Sequence, residues 1–373
     1  MKRESGTALI TVLMIFAIAA FLATVVAEHQ QMDIRRSANM ISNDQAMQYA
    51  LAAEELAKIV LIEDRLQDSK PKRSGNTEPV DGLGDMWNSP MLSTWKPIDA
   101  GQVRGKLYDL QGKFNINRLL FEKQMMATAG QMGPDGLPVQ PAGAAAPTQG
   151  RSPRLQLQTL MDYFKVFPQG ADLTMVQNFS YRVVDWVDSD NVPSGGDNEG
   201  EDDYYLGLQP AYKPRNNLFV DLSELRLLLA GAEVDEGQWQ LFTNELAILP
   251  PNVPLNINTA DQYVLDAVVS GGGGAQGFNA AEFVKAREAN GGAFETFTDA
   301  EQKGNFPAAA ADKCSLNTEY FLLRADAMVD GRMVHMDSVL YRPSAVAKSA
   351  AAQTNSDKSI KVIARKWVKY RPL

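Results

Sequence analysis

An uncharged run from Thr7 to Ala27 is the strongest feature in the pattern of apolar and polar residues. It follows a short polar head that contains Lys2 and Arg3 and ends at Gly6. About 20 apolar residues in a helix span a hydrocarbon core of roughly 30 Å. The run therefore predicts a membrane-spanning helix, whose cationic end is expected on the cytoplasmic side.

The helical pattern continues beyond this run to about Leu66. Apolar residues recur there at alternating steps of three and four: Ala46, Tyr49, Ala53, Leu56 and Val60. This spacing is typical of a helix with one apolar face. It predicts one long helix, apolar throughout its first half and amphipathic in its second.

Strand-like patterns lie on both sides of a helical middle. Residues 102–117 predict a hairpin that turns at Gln111-Gly112 and packs on the long helix. Residues 320–327 and 332–341 flank Asp330-Gly331, a strong hairpin signal, and residues 360–368 predict a last strand. Helical spacing is found at Leu155 to Phe167, Leu173 to Val187, Asp221 to Leu229 and Gln238 to Ile248. The prediction is an α+β fold, a long helix packed on an antiparallel sheet, interrupted by a large helical insertion.

Charge and cysteine content change this picture little. The formal net charge of -9 argues against a partner held through nucleic-acid phosphates. Cys314 is the only cysteine, so an internal disulfide is excluded.

The glycine that stands directly before the apolar run resembles the N-terminus of type IV pilin-like proteins. The resemblance implies that a prepilin peptidase cuts after Gly6, which leaves Thr7 as the new N-terminus. Members of that family usually have glutamate at the fifth mature position, where this chain has Thr11. The absence of glutamate at this position implies that the chain lies at the end of a filament. On these residues alone, an ordinary signal anchor is the alternative.

The large insertion narrows the resemblance to the K-type minor pseudopilins of type II secretion. The matching stretches are the anchor, DLQGKFNIN, VVDWVDSD, EDDYYLG, DLSELRLL and PLNINTA. The implied organisation is a leader (1–6), a membrane and assembly helix (7–27), a first pilin-like part (28–120), the insertion (121–315) and C-terminal strands (316–373). It also implies a single inner-membrane pass, a periplasmic domain, I-type and J-type partners in a tip complex, and a role in initiating assembly.

An acidic stretch from Asp185 to Asp203 contains no lysine or arginine. Its hard oxygen donors, without histidine or cysteine, favour calcium over magnesium, although Val192 and Pro193 exclude an EF-hand. From composition alone, a solvated acidic loop is equally acceptable. The resemblance implies calcium, with these candidate ligands: Asp188, Asp190, Asp197, Glu199, Glu201, Asp202 and Asp203. Asp185 is instead a candidate for the core beside Trp186.

A second motif offers a different function. Residues 254–294 are similar to helix-hairpin-helix modules that grip DNA phosphates at a glycine turn, and Thr259 with Gln262 predicts a capping box. The alternative function is therefore a membrane-anchored DNA-binding module. Residues 256–300 nevertheless have six acidic side chains against Lys285 and Arg287, which favours a scaffold role and no nucleic-acid partner.

Catalysis has little support, because the two histidines, His29 and His335, have no nucleophile motif nearby. The sequence therefore predicts a non-enzymatic assembly protein.

Overall fold

The computed structural model describes most of the chain. The described residues are 5–68, 79–121, 152–167, 173–195, 200–229, 232–270, 277–343 and 360–369, and residues 5–8 are described as backbone only. Helix α1, Ser5–Asp68, is continuous over 64 residues, so the predicted single long helix is confirmed.

The second half of α1 packs on the sheet through small and branched side chains. Ala46, Ala50, Ala57 and Leu61 are buried there, and the alanines allow the helix and the sheet to approach closely. Leu56 was predicted on this face, but its side chain is 59% exposed. The helix has two apolar stripes, and Ala57 rather than Leu56 faces the sheet.

Nine strands are present in the described residues. They are β1 (Lys96–Ile98), β2 (Gly101–Asp109), β3 (Phe114–Asn115), β4 (Leu246–Ala247), β5 (Leu255–Asn256), β6 (Cys314–Ser315), β7 (Tyr320–Val329), β8 (Arg332–Tyr341) and β9 (Lys361–Val368). Five of them form one antiparallel sheet in the order β1-β2-β7-β8-β9. The predicted β7–β8 hairpin is confirmed, with Asp330 and Gly331 both at positive φ in its turn.

The hairpin predicted at residues 102–117 is wrong. Strand β2 pairs with β1 and β7, whereas β3 leaves the sheet and pairs in parallel with β4. The side chain of Asp109 accepts a hydrogen bond from the backbone N–H of Gln111 at 2.6 Å, which turns the chain out of the sheet. The N–H of Phe114 then donates to the carbonyl of Glu245 at 2.8 Å.

The chain between β2 and β7 is mainly helical. Its α-helices are α2 (Pro153–Phe164), α3 (Leu173–Val187), α4 (Asp202–Leu206), α5 (Glu236–Asn244), α6 (Gln262–Leu265), α7 (Ala280–Ala289) and α8 (Phe297–Gly304), with a 3-10 helix at Leu222–Leu229. Their apolar faces share one core that includes buried residues from Phe114 to Cys314. The sheet and α1 form a second core of their own. The architecture is thus a long helix on an antiparallel sheet, with a helical region inserted between two neighbouring strands.

Candidate assembly surface and metal site

The apolar run of α1 is exposed from Leu9 onward, except at Val25, which is half-buried. Gly6 and Thr7 lie in the first turn of the helix, and Thr11 lies within the exposed run. The helix is long and apolar enough to cross a membrane. Cleavage between Gly6 and Thr7 and the terminal place indicated by Thr11 remain predictions.

A second apolar stripe continues along the part of α1 that packs on the sheet. We call it the outer stripe, and it consists of Ile41, Leu56, Ile59, Ile62 and Leu66, all exposed. Ile59 and the buried Leu61 are two positions apart, which places them about 160° apart around the helix. The outer stripe therefore faces away from the sheet.

A buried carboxylate fixes α1 to the last strand. Glu54 accepts hydrogen bonds from Arg365 Nη2 at 2.7 Å and from Ser338 Oγ at 2.6 Å. Burial alone would raise the pKa of Glu54, but these bonds hold it below its usual value. The interaction joins α1, β8 and β9 across the sheet.

A second buried group lies at the end of α1 and consists of Arg342, Asp64 and Asp81. We call it the arginine junction. Arg342 follows β8 and donates to Asp64 at 3.2 Å, to Asp81 through a very short bond, and to the carbonyl of Thr318 at 3.0 Å. All three charged side chains are buried. Because Asp64 is buried and close to Asp81, its pKa is raised to about 7. One guanidinium thus serves two carboxylates.

Two uncharged side chains, Asn256 and Thr259, connect the arginine junction to the inserted region. Asn256 Nδ2 donates to the carbonyl of Asp81 at 3.1 Å and to the carboxylate of Asp109 at 3.0 Å. Thr259 Oγ1 also donates to Asp109, so the predicted capping box is wrong, and Asp261 caps the helix instead. Burial raises the pKa of Asp109 to about 6. These bonds hold the inserted helices to the end of the sheet.

The acidic loop begins where α3 ends. Asp185 is fully buried near the end of that helix and accepts a hydrogen bond from the N–H of Ser194 at 2.9 Å, which folds the loop back. Gly200 lies against the same carboxylate at a φ of +135°, and a Cβ atom there would collide with it. Asp185 therefore shapes the loop from within the core.

Three predicted ligands converge on one point. Asp188, Asp190 and Glu201 each offer a carboxylate oxygen, and these oxygens all lie within 4.8 Å of one another. Asp188 and Glu201 are buried, whereas Asp190 is exposed. Like charges at this separation raise the energy of the folded loop, and a divalent cation would offset that cost. The donor set is all oxygen, which fits calcium.

The other predicted ligands are placed differently. Asp202 forms an ion pair with Lys213, with 2.5 Å between Oδ2 and Nζ, and Asp203 is exposed in the first turn of α4. Neither belongs to the group of three. Asp197 and Glu199 lie outside the described residues.

The helix-hairpin-helix-like segment is organised around a buried arginine. Arg287 donates to the carbonyls of Ile257 at 2.9 Å and Ala260 at 2.8 Å and is only 3% exposed. Its guanidinium is therefore engaged in the core, which leaves Lys285 as the other cation among residues 256–300. This arrangement favours the scaffold interpretation. The glycines of the turn, 271–274, lie outside the described residues.

Sequence reasoning missed the arginine junction and the outer stripe. Arg342 is 278 residues from Asp64 and 261 from Asp81 along the chain, so no local spacing indicates their contact. The outer stripe had a visible signal, because Leu56, Ile59, Ile62 and Leu66 recur at steps of three and four.

The sequence of this chain is similar to those of known proteins of one family. A family model described as type II secretion system (T2SS), protein K matches residues 112–240. A type II secretion system protein K from Pseudomonas aeruginosa is 34% identical over 267 residues, 72% of this chain and 68% of the relative. Its counterpart from Aeromonas hydrophila is 30% identical over 227 residues, 60% of this chain and 58% of the relative.

A solved structure supports the fold. The chain is similar to one in the crystal structure of the GspK-GspI-GspJ complex from the enterotoxigenic Escherichia coli type 2 secretion system. The TM-score is 0.60 at 20% identity, over 90% of this chain and 100% of the other. The molecule thus has a pilin-like fold with an inserted helical domain. It belongs to the type II secretion system protein K family, that of the K-type minor pseudopilins.

Proposed function

We propose that this chain caps the tip of the type II secretion pseudopilus and helps to initiate its assembly, as a non-enzymatic component of protein export. After cleavage between Gly6 and Thr7, α1 would anchor the protein in the inner membrane with the sheet and inserted helices in the periplasm. It would then leave the membrane by packing against the helices of other pseudopilins.

The outer stripe is the observation that carries this proposal. It places apolar side chains on α1 where no described part of the chain covers them, in line with the apolar run that precedes them. An exposed apolar helix face of this length is suited to packing against a second helix. Thr11 supports a terminal position, because a subunit without glutamate there lacks the carboxylate that would pair with a neighbour's N-terminal amine.

The partners we propose are I-type and J-type minor pseudopilins. The similar solved structure is that of a GspK-GspI-GspJ complex, and this chain shares the fold seen there. The inserted helices, which lie between β2 and β7, would add width to the tip and prevent a further subunit from stacking above it.

The assembly test uses the full-length chain in detergent, mixed with purified I-type and J-type partners. Size exclusion should show one complex. Replacing Ile59 by Asp places a charge in the outer stripe, and we expect it to weaken the complex about tenfold or more without lowering the melting temperature. Met175→Asp, an exposed apolar residue on α3, is the matched control and should assemble normally.

An unchanged complex with Ile59→Asp would refute the role of the outer stripe. The absence of any complex with the wild-type chain would refute the tip assignment itself.

We also propose that calcium binds the acidic loop and stabilises it. Asp188, Asp190 and Glu201 would hold the ion, which would neutralise their mutual repulsion and fix the loop at the end of α3. Calcium should raise the melting temperature of the full-length chain, and chelation should reverse the increase.

A pair of variants separates these ligands from other acidic residues of the loop. Asp188→Asn should abolish most of the calcium-dependent increase, whereas Asp203→Asn should retain it, because Asp203 is exposed and outside the group of three. Equal responses of the two variants would contradict the assignment, and no response of the wild-type chain would exclude a structural ion.

A further inference from the structure

A groove separates the inserted helices from the face of the sheet that is turned away from α1. Its main part has a volume of about 1020 Å³. One wall is formed by β7, β8 and β9, and the other by the 3-10 helix Leu222–Leu229, α5 and the chain just after β4. A second part of about 610 Å³ extends it toward β2, and the two parts share Arg324 and Asp337.

Aliphatic side chains line the main part of the groove. Leu322 and Val339 project from the sheet, and Ile248 faces them from the chain after β4. Two further aliphatic residues are largely uncovered, Val220 at 64% exposure and Ile363 at 55%. A partner that covered both walls would remove this apolar surface from water.

The rim of the groove is cationic although the whole chain has a net charge of -9. Seven lysine and arginine side chains line the two parts, against three carboxylates: Asp221, Asp326 and Asp337. Two of the seven cations are paired with carboxylates outside the lining, Arg226 with Glu236 and Arg365 with Glu54. Lys113 also lies close to the carboxylate of Glu245, outside the lining. The groove therefore keeps an excess of about one positive charge.

Two of the arginines lie next to carboxylates of the sheet. Arg104 Nε donates to Asp326 at 2.8 Å, and Arg324 Nε lies 4.0 Å from Asp337. Lys106 lies over the ring of Tyr108, with 4.8 Å between Nζ and the ring centroid. Lys106 is itself exposed, so the carboxylate of a ligand could reach its ammonium group.

We propose that this groove binds an acidic polypeptide segment with aliphatic side chains, supplied by a partner protein. Its carboxylates would contact Lys106 and the neighbouring arginines, and its aliphatic side chains would cover Val220 and Ile363. A nucleic acid fits less well, because a phosphate backbone would meet an excess of only about one positive charge and exposed aliphatic side chains. The inference does not depend on calcium binding or on the place of the chain in the pseudopilus.

The experiment pans random dodecapeptides displayed on phage against the full-length chain immobilised in detergent micelles. We expect the enriched peptides to combine aspartate or glutamate with valine, leucine or isoleucine. Val220→Asp and Ile363→Asp should lose these peptides, and Met175→Asp, outside the groove, should retain them. Enriched peptides without acidic residues, or peptides that survive both groove variants, would overturn the proposal, as would the absence of any enrichment.

Affinity measurements then test the charges. For a synthetic enriched peptide, Lys106→Glu should weaken binding about tenfold and Lys106→Arg should preserve it. Replacing the acidic residues of the peptide by lysine should abolish binding. Equal binding of both peptides, or tighter binding of a single-stranded oligodeoxynucleotide at the same ionic strength, would refute the assignment.

Discussion

Replacement of Arg342 by Met should destabilise the protein more than any surface change of equal size. The side chain is only 2% exposed, and its loss leaves Asp64 and Asp81 buried without their shared counter-charge. Breaking a buried ion pair in this way costs about 3–5 kcal/mol. The methionine still covers the ring of Phe321, which the guanidinium overlies at 4.7 Å, so lost packing contributes little.

The destabilisation caused by Arg342→Met should be larger at high pH than at low pH. Burial and the neighbouring carboxylates raise the pKa of Asp64 to about 7 in the presence of the arginine. Without it, Asp64 binds a proton still more readily. At pH 8 Asp64 of the wild-type chain is mostly ionised and is stabilised by the arginine, whereas at pH 5.5 Asp64 is neutral in both proteins and needs no counter-charge. The destabilisation should therefore be smaller at pH 5.5 by about 1 kcal/mol.

Thermal unfolding of the full-length chain in detergent, followed by circular dichroism at both pH values, measures this effect. We expect a decrease in melting temperature on the order of 10 °C at pH 8. Adding Asp81→Asn to the variant should recover part of the decrease, because one buried charge is then removed. Arg332→Met, an exposed arginine at the other end of β8, is the matched control and should change the melting temperature little. A decrease below about 2 °C at pH 8, or one that is equal at both pH values, would refute the reasoning.

Three further predictions follow from the same structure. The folded chain holds a proton on Asp64 more tightly than the unfolded chain, so its unfolding free energy should fall as pH rises toward 7. In Asp64→Asn, urea titrations between about pH 4 and 7 should show a smaller fall of the unfolding free energy with pH, and an unchanged fall would contradict the raised pKa. Leu61→Ala should lower the free energy of unfolding, measured in urea, by about 2–5 kcal/mol, because Leu61 is buried. Leu56→Ala should lower it by less than about 0.5 kcal/mol, because Leu56 is exposed. Equal decreases would contradict the assigned faces of α1. Gly200→Ala should lower the melting temperature through a clash with Asp185 and unfavourable φ, and an unchanged value would contradict the loop geometry.

The parts of the fold that are determined by residues close together along the chain could be predicted from the sequence. The length of α1 follows from a continuous helical pattern, and the β7–β8 hairpin follows from Asp330-Gly331 between alternating strands. Both are local signals. The first hairpin failed because Phe114 pairs with a strand more than 130 residues away, and no local pattern indicates such a partner.

The candidate metal site was predictable only in part. Composition indicated a cluster of carboxylates, but it did not distinguish Asp188 from Asp202. The difference depends on Lys213, which lies after α4 and removes Asp202 from the group by pairing with it. Which carboxylates lie close enough to hold one ion thus depends on the folded loop and not on the spacing of its acidic residues.

The position of the arginine junction determines how a mechanical force would pass through the molecule. Arg342 joins the last turns of α1 to the segment at Asp81 and, through Thr318, to the chain that enters β7. A push along the helix axis would therefore reach the inserted helices through short, buried bonds at its far end, and not only through the sheet. The helix and the inserted region should then move as one rigid body. A single substitution at the arginine junction would make the connection between them flexible.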